Sequence, residues 1–172
     1  MEVKIYGDPV LRKTAKPVEM FDDELKRLVE EMIQTMVTED GAGLAAPQVG
    51  ISRRIAVIDV TGGEEKPVVI INPQIYYYSE DKESKEEGCL SLPGINLSVN
   101  RSVTVSVKAM DINGNEFTIE KAQGFLARAL QHEIDHLDGI MIIDHISVLQ
   151  RKLISGKLKK MAKTGRDKSH AV

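Results

Sequence analysis

The stretch QGFLARALQHEIDHL, residues 123–137, decides the fold, because its apolar residues recur at the spacing of a helix that packs on one side. We predict a helix over this range, ended by Gly139. His132 and His136 lie four residues apart, just over one turn, so both imidazoles project from the same side of the helix. That side is otherwise apolar, and buried imidazoles there need a compensating partner such as a metal ion.

The pentad His132-Glu133-Ile134-Asp135-His136 matches a pattern in which two histidines hold a metal ion and the glutamate acts as general acid or base. Glu133 lies at the edge of the face that carries the histidines. The alternative is a pair of hydrogen-bonded core histidines beside an exposed glutamate, which suits a lone histidine better than the full pentad. We therefore predict a metal site with Glu133 as its acid–base group.

A third metal ligand is expected upstream of the helix. The histidines and acids downstream do not repeat the spacing of the metallopeptidases that share the pentad. Cys89 lies in EGCLSLPG, residues 87–94, where glycines and a proline predict an irregular backbone able to approach the helix. For Cys89 taken alone, a buried spare thiol is the alternative. Two histidines and one cysteine leave a fourth position open, as in catalytic sites, and would suit Fe²⁺, Zn²⁺, Ni²⁺ or Co²⁺.

The rest of the chain predicts an α+β fold, with antiparallel β-sheets packed around the central helix that carries the H-E-x-x-H motif, an N-terminal helix and a C-terminal helix. Asp22 is a plausible N-cap for the N-terminal helix, and Asn113-Gly114 indicates a hairpin. The predicted segments are helices over 23–39 and 147–163, strands over 54–59, 68–71, 103–110 and 117–120, a surface loop over 79–87, and over 41–50 a tight segment that is neither helix nor strand.

Size and composition indicate a single domain outside the membrane. The chain has 172 residues, 42% of them hydrophobic, which is enough for one core, and it lacks the apolar run that a membrane span needs. The N-terminus has no secretory pattern and one cysteine cannot form an internal disulfide, so we expect a cytoplasmic protein with no disulfide partner. We assign residues 1–145 to a catalytic part and 146–172 to a basic helix and tail of the same domain.

Three motifs in this order resemble those of the peptide deformylase family. They are GAGLAAPQ at 41–48, EGCLS at 87–91 and QHEIDHL at 131–137, and the resemblance spans about residues 1–145. It implies hydrolysis of the N-formyl group from the initiator methionine of newly synthesised polypeptides, with release of formate. It also implies one divalent metal ion, usually Fe²⁺, with Zn²⁺ or Ni²⁺ as substitutes, on Cys89 and the two histidines.

The resemblance further implies roles for individual residues. Gln48 and the backbone N–H of Leu90 would donate to the oxyanion, and the backbones of Gly43 and Gly88 would pair with the extended substrate. An ordinary loop glutamine and plain turn glycines are the alternatives. A pair between Glu87 and Arg101 would support the Cys89 segment. The candidate walls of a methionine pocket, for which plain core residues are the alternative, are Leu92, Phe125, Leu126 and Ala129.

The C-terminal segment is basic on an acidic body. Residues 145–172 carry eight Lys or Arg and one acid, a net charge of +7, whereas the rest carries 15 basic and 25 acidic residues, a net charge of −10. On a helix, one sector would hold Lys152, Lys159, Lys163 and Arg166. Family members that end in such a helix use it to dock near the ribosomal exit tunnel, so a contact with rRNA phosphates is a hypothesis here. A solvated surface helix is the alternative.

Two other functions compete with the deformylase hypothesis. One is a peptidase that cuts internal peptide bonds, which the cysteine ligand disfavours. The other is a non-catalytic, metal-stabilised module that binds ribosomes through its tail. Glu133 and Gln48 disfavour the second, because holding a metal requires neither side chain.

Overall fold

The computed structural model describes the backbone of residues 1–169 and the side chains of residues 1–165. In chain order the helices and strands are α1 Asp23–Thr38, β1 Gly43–Ala45, β2 Ile55–Ile58, β3 Val68–Tyr78, β4 Lys82–Glu87, β5 Leu97–Ser102, β6 Val105–Met110, β7 Glu116–Ala122, α2 Gly124–Leu137, α3 Val148–Leu153 and α4 Ser155–Ser169. Short 3₁₀ turns cover Pro9–Arg12, Ala46–Val49 and Ile142–Asp144.

Two antiparallel sheets surround helix α2. The larger has the strand order β1-β2-β3-β6-β7, and β4 pairs with β5 in a separate two-stranded sheet. Helix α2 packs against β1, β2 and β3 of the first sheet and against β5 of the second. Ten of its residues are buried, including both histidines and Glu133. The predicted α+β fold with a central motif-bearing helix is confirmed.

Helix α1 has the predicted position. The Asp22 carboxylate accepts a hydrogen bond from the backbone N–H of Leu25 at 3.0 Å, as an N-cap does. Its buried face packs against the larger sheet through Leu25, Val29, Met32 and Met36. Val37 continues the apolar spacing of this face in the sequence, but it is 64% exposed in the last turn.

The predictions for 41–50 and 79–87 are wrong in part. Residues 43–45 form strand β1, which pairs with β2 in the register Gly43↔Ile58, and residues 46–49 form a 3₁₀ turn. The expected surface loop contains β4, whose side chains are exposed except for Glu87. Its partner β5 was not predicted. Polar KESKEE has no apolar alternation, because neither face of β4 lies in the core before Glu87.

The C-terminal segment forms two helices instead of the single predicted one. They meet at Ile154, and Leu149 and Leu153 are exposed rather than packed, at 69% and 79%. Leu158 is buried in a cluster with Leu11 and other residues. Within residues 1–169 no helix is long and apolar enough to cross a membrane.

Candidate metal centre and active-site cleft

Three side chains predicted as metal ligands converge. His132 and His136 project from one face of α2, and Cys89 lies two residues after the end of β4. The Cys89 Sγ and His136 Nε2 atoms are 3.2 Å apart, and the two histidine Nε2 atoms are also 3.2 Å apart. All three ligand atoms lie within 4.8 Å of one another. A loop and a helix far apart in sequence therefore bring together the predicted set.

The three side chains fit a tetrahedral metal ion. Metal–nitrogen and metal–sulfur bonds of about 2.1 and 2.3 Å place neighbouring ligand atoms roughly 3.4 to 3.6 Å apart, slightly more than observed here. Burial lowers the pKa of His136, and the neighbouring His132 lowers it further. Burial also lowers the pKa of His132, but Cys89 and Glu87 outweigh this effect and raise it well above its ordinary value. A divalent ion bound by these nitrogens would require both to be unprotonated, so metal binding would compete with protons here.

Glu87 orients the first histidine. Its Oε2 atom lies 3.0 Å from His132 Nδ1, so Nδ1–H donates to the carboxylate and Nε2 faces the metal position. Arg101 binds the same carboxylate through Nε at 2.6 Å and a terminal nitrogen at 3.0 Å. Burial raises the pKa of Glu87, but the hydrogen bonds from His132 and Arg101 outweigh it, and the pKa falls to about 2. The Glu87–Arg101 pair suggested by the resemblance is present.

Glu133 is a buried carboxylate next to this ligand set. It is 4% exposed, and its Oε2 atom has no hydrogen-bond partner among the described residues. Burial raises its pKa to about 7, although the charges of His132 and Arg101 oppose the rise. A cation bound at His132 would lower this pKa. A carboxylate that titrates near neutrality with a free oxygen can both accept and return a proton.

Gly43 makes room for Glu133. A Cβ atom at this position would lie 2.4 Å from Glu133 Oε1 and 2.8 Å from its carboxyl carbon. The space that a side chain would need is therefore filled by the acid–base candidate, not left open for substrate. The backbone of Gly43 still borders the cleft.

Gln48 is held with its amide nitrogen toward Cys89. Its Oε1 accepts a hydrogen bond from the backbone N–H of Ala45 at 2.8 Å, which leaves Nε2 3.7 Å from Cys89 Sγ and 3.3 Å from Ser91 Oγ. Gln48 is 1% exposed. A buried amide fixed at one end presents its donor in a single direction, as an oxyanion donor must.

Comparisons with known proteins agree with this geometry. The family model described as polypeptide deformylase matches residues 1–152. The chain is 51% identical to the peptide deformylase of Thermotoga neapolitana, over 95% of this chain and 98% of that protein. The solved peptide deformylase of Plasmodium falciparum superposes with a TM-score of 0.90 at 38% identity, over 96% of this chain and 98% of the other. An Arabidopsis thaliana peptide deformylase reaches a TM-score of 0.93 at 39% identity, over 99% and 94%.

The chain belongs to the polypeptide deformylase family. Its members are metal-dependent enzymes that remove the N-formyl group from nascent peptides. The fold and the function expected from the three sequence motifs are confirmed at this level.

A cleft of about 580 Å³ opens beside the metal centre, within the range of small-ligand sites. It is bordered by the predicted substrate-contacting backbones of Gly43 and Gly88. Of the residues suggested for a methionine pocket in a deformylase, the cleft is lined by Leu92, Phe125 and Ala129. Leu126 instead packs against the core formed by the larger sheet and α2, so its assignment to the pocket wall is wrong.

The sequence did not reveal the contacts of three residues near the centre. Ser91 Oγ accepts a hydrogen bond from the Gln48 side-chain amide at 3.3 Å. Asp135, which we gave no function, accepts hydrogen bonds from Arg101 at 2.8 Å and from His145 at 2.7 Å. Arg128 donates to Glu87. Helical spacing could have revealed part of this network, because residues 128, 132 and 135 lie on one face.

Proposed function

We propose that this chain hydrolyses the formyl amide of N-formylmethionyl nascent peptides at the Cys89–His132–His136 centre, with Glu133 as general base and then general acid. One observation carries the proposal: a buried carboxylate, one oxygen of which has no hydrogen-bond partner among the described residues, lies beside a ligand set that leaves a fourth position open. Glu133 would take a proton from the attacking water and deliver it to the leaving amine.

We propose Fe²⁺ as the resident ion, because it is the usual metal of the family, with Zn²⁺, Ni²⁺ and Co²⁺ able to replace it. Imidazole and thiolate ligands suit all four. A bound ion would act as a Lewis acid and lower the pKa of water. The chain's own contribution is to hold His132 through Glu87 and to keep the thiol of Cys89 within reach.

Backbone and amide donors would stabilise the developing charge and align the substrate. Gln48 Nε2 and the Leu90 N–H are the proposed donors to the formyl oxygen. Within the described residues the Leu90 N–H makes no hydrogen bond, so it is free to donate. The backbones of Gly43 and Gly88 would pair with the extended peptide, and the apolar wall of Leu92 and Phe125 would receive the methionine side chain.

The decisive experiment compares three versions of one methionyl peptide: N-formylated, N-acetylated and unmodified. We expect formate release from the first, with no cleavage within any of the three peptides. Cleavage of internal bonds without formate release would instead support a peptidase, and metal binding without any hydrolysis would support a non-catalytic module. Because the family acts on nascent chains, we place the enzyme in the cytoplasm.

We further propose that residues 146–172 belong to the same domain as 1–145 and bring a basic face to the ribosome. Helix α4 packs closely on the N-terminal segment, since a Cβ at Gly165 would lie 2.6 Å from the Tyr6 carbonyl oxygen. The lysines predicted for the basic face, Lys152, Lys159 and Lys163, are exposed and make no ion pair within the described residues. The side chain of Arg166 lies outside the described ones.

Charge reversal tests the ribosome contact. The triple variant K152E/K159E/K163E should lose co-sedimentation with ribosomes at low salt while its formate release from a short peptide is retained. The matched control reverses three exposed lysines elsewhere, Lys13, Lys66 and Lys82. Equal sedimentation of both triple variants and the unmodified chain would refute the contact.

A further inference from the structure

Arg128 is a buried arginine one helical turn before His132. It is 8% exposed, although its charge would be far better solvated at the surface. One terminal nitrogen donates to Glu87 Oε1 at 2.6 Å and to the Val99 carbonyl oxygen at 2.9 Å. The other donates to the Glu83 carbonyl oxygen at 2.8 Å. Each acceptor lies on the β4–β5 hairpin, so Arg128 ties α2 to that hairpin.

The acceptor Glu87 is also the residue that orients His132. Arg101 and Arg128 both donate to its Oε1 atom, while Oε2 lies 3.0 Å from His132 Nδ1. Arg101 is shared, because its remaining terminal nitrogen binds Asp135 at 2.8 Å. Arg128 has no other carboxylate partner among the described residues, and its remaining hydrogen bonds go to the hairpin backbone.

Glu87 ends β4, and Cys89 follows two residues later. The metal centre is therefore assembled from two parts: α2 supplies both histidines, and the chain leaving β4 supplies the cysteine. Arg128 belongs to α2 and donates hydrogen bonds to three acceptors on the β4–β5 hairpin. A single hydrogen bond would allow α2 and the hairpin to shift relative to each other. A planar guanidinium that donates to several acceptors fixes both the distance and the orientation between them.

We infer that Arg128 is a positioning residue for the metal centre: by anchoring Glu87 and the β4–β5 hairpin to α2, it holds Cys89 at the correct distance from His132 and His136. The inference rests on the proposed metal site. Arg128 borders the cleft but makes no described hydrogen bond to Cys89, His132 or His136, so we assign its effect on the metal centre to Glu87 and the hairpin.

Metal affinity is the measurement that separates positioning from general stability. We would determine the Co²⁺ affinity of the intact protein by competition with a chelator, and record the absorption of bound Co²⁺, whose thiolate charge-transfer band reports the Cys89 bond. The variants are Arg128→Met, which removes every donor, and Arg128→Lys, which can still reach Glu87. Loss of a group that contacts a metal ligand directly typically lowers metal affinity about 10- to 100-fold. Arg128 contacts Glu87 and not a ligand, so we expect a fall near the lower end, about 10-fold, for Arg128→Met, with Arg128→Lys intermediate.

Arg54 offers a matched control. It too binds one carboxylate, Asp138, at 2.6 Å, and the carbonyl oxygens of Leu137 and Pro73, each at 3.3 Å. Leu137 and Asp138 lie at the C-terminal end of α2 and Pro73 lies in β3, so none of the described side-chain contacts of Arg54 is with the β4–β5 hairpin. Arg54→Met should lower the melting temperature and leave Co²⁺ affinity and the thiolate band close to those of the unsubstituted chain.

The outcomes are distinguishable. If Arg128→Met keeps the unsubstituted affinity and band while losing stability as Arg54→Met does, Arg128 is merely structural and the inference is overturned. If Arg128→Met fails to fold, Arg128→Lys decides by the same criterion: reduced affinity supports positioning, and unchanged affinity refutes it. If the unsubstituted chain binds no Co²⁺ through Cys89, the proposed metal site itself fails.

Discussion

Glu133 differs from the exposed carboxylates of this chain because it is buried and one of its oxygens has no hydrogen-bond partner in the part of the chain that the structure describes. Replacement by the isosteric glutamine keeps the shape but removes the proton acceptor. We expect Glu133→Gln to lower kcat for formate release by about 10²- to 10⁴-fold, the usual contribution of a positioned acid–base group. Metal content and melting temperature should change little, because Glu133 is not a proposed ligand.

The control for this variant is Glu64→Gln, at an exposed position far from the cleft. Kinetics on a formyl-methionyl peptide at full metal loading provide the comparison. Unchanged turnover in Glu133→Gln would remove Glu133 from the mechanism, and loss of bound metal would reassign it as a ligand.

The close contact of Gly43 with Glu133 leads to a second prediction. In Gly43→Ala the new methyl group must push the Glu133 carboxylate aside, since its unrelaxed position would be 2.4 Å from Oε1. Misplacement of a catalytic group by about 1 Å can cost on the order of 100-fold in rate. We therefore expect a large fall in kcat with a small change in melting temperature.

Gly156→Ala is the matched control, because no atom of the described residues lies within 4 Å of a Cβ there and the position is helical. It should keep full activity and gain about 0.5 to 1 kcal/mol of stability. An unaltered kcat in Gly43→Ala, measured beside this control, would show that the function of Glu133 does not require a glycine at position 43.

The position of a site residue could be predicted from the sequence where residue spacing alone determines the geometry. Four residues on a helix place His132 and His136 together whatever the rest of the fold does. Cys89 was suggested by its irregular segment, but a spare thiol was the alternative until the resemblance supported a metal ligand, because its approach to α2 depends on β4 and β5, which we did not predict. The contact of Gly43 with Glu133 joins β1 to α2 and carries no local signal.

Among the elements, the β4–β5 hairpin was the most poorly predicted and is among the most important for the centre. Strand β4 is polar and exposed before Glu87, so it lacks the alternation that marks a half-buried strand. Strand β5 does alternate, with Leu97 and Val99 buried and Ser98 and Asn100 exposed, but it is short and we did not predict it. Helix α1 and helix α2 were found because their long apolar stripes lie against the sheets. A long buried face can therefore be predicted from the sequence, whereas a short strand, or one held mainly by hydrogen bonds to its partner, is easily missed.

The 3₁₀ turn Ile142–Asp144 connects α2 to the C-terminal helices and depends on Asp144. Burial raises the pKa of this carboxyl, but hydrogen bonds from Arg12 and the Met141 N–H, with the charges of Arg12 and Arg151, outweigh it and lower the pKa below its ordinary value. A depressed folded pKa means that the ionised group stabilises the fold above its unfolded pKa, and that this contribution is lost as pH falls through the folded pKa.

Asp144→Asn should therefore lower the free energy of unfolding at neutral pH by roughly 0.5 to 1 kcal/mol, the upper range for a partly exposed pair. The difference from the unsubstituted chain should persist to about pH 4 and shrink below it. Urea unfolding at several pH values measures this. Glu116→Gln, which breaks an exposed pair with Lys108, is the control. A deficit that grows as the pH falls below 4 would contradict the assignment.

At the scale of the whole molecule, the centre forms where the two sheets meet α2. Residues from β1, the turn after it, the end of β4 and the central helix border one cleft. The overall class followed from the order of predicted elements and the hairpin at Asn113-Gly114, which has the expected left-handed glycine. The pairing of β1 with β2 and of β4 with β5, and the break at Ile154, depend on tertiary contacts and were not predictable from local pattern.

The most direct test of the central claim joins metal content to formate release. Anaerobically purified protein should contain one divalent ion per chain, lose formate release when a chelator removes the ion, and recover it in proportion to the Fe²⁺ restored. Cys89→Ala should lose both the ion and the activity. Full formate release by the metal-free chain, or unaltered metal binding by Cys89→Ala, would contradict the account.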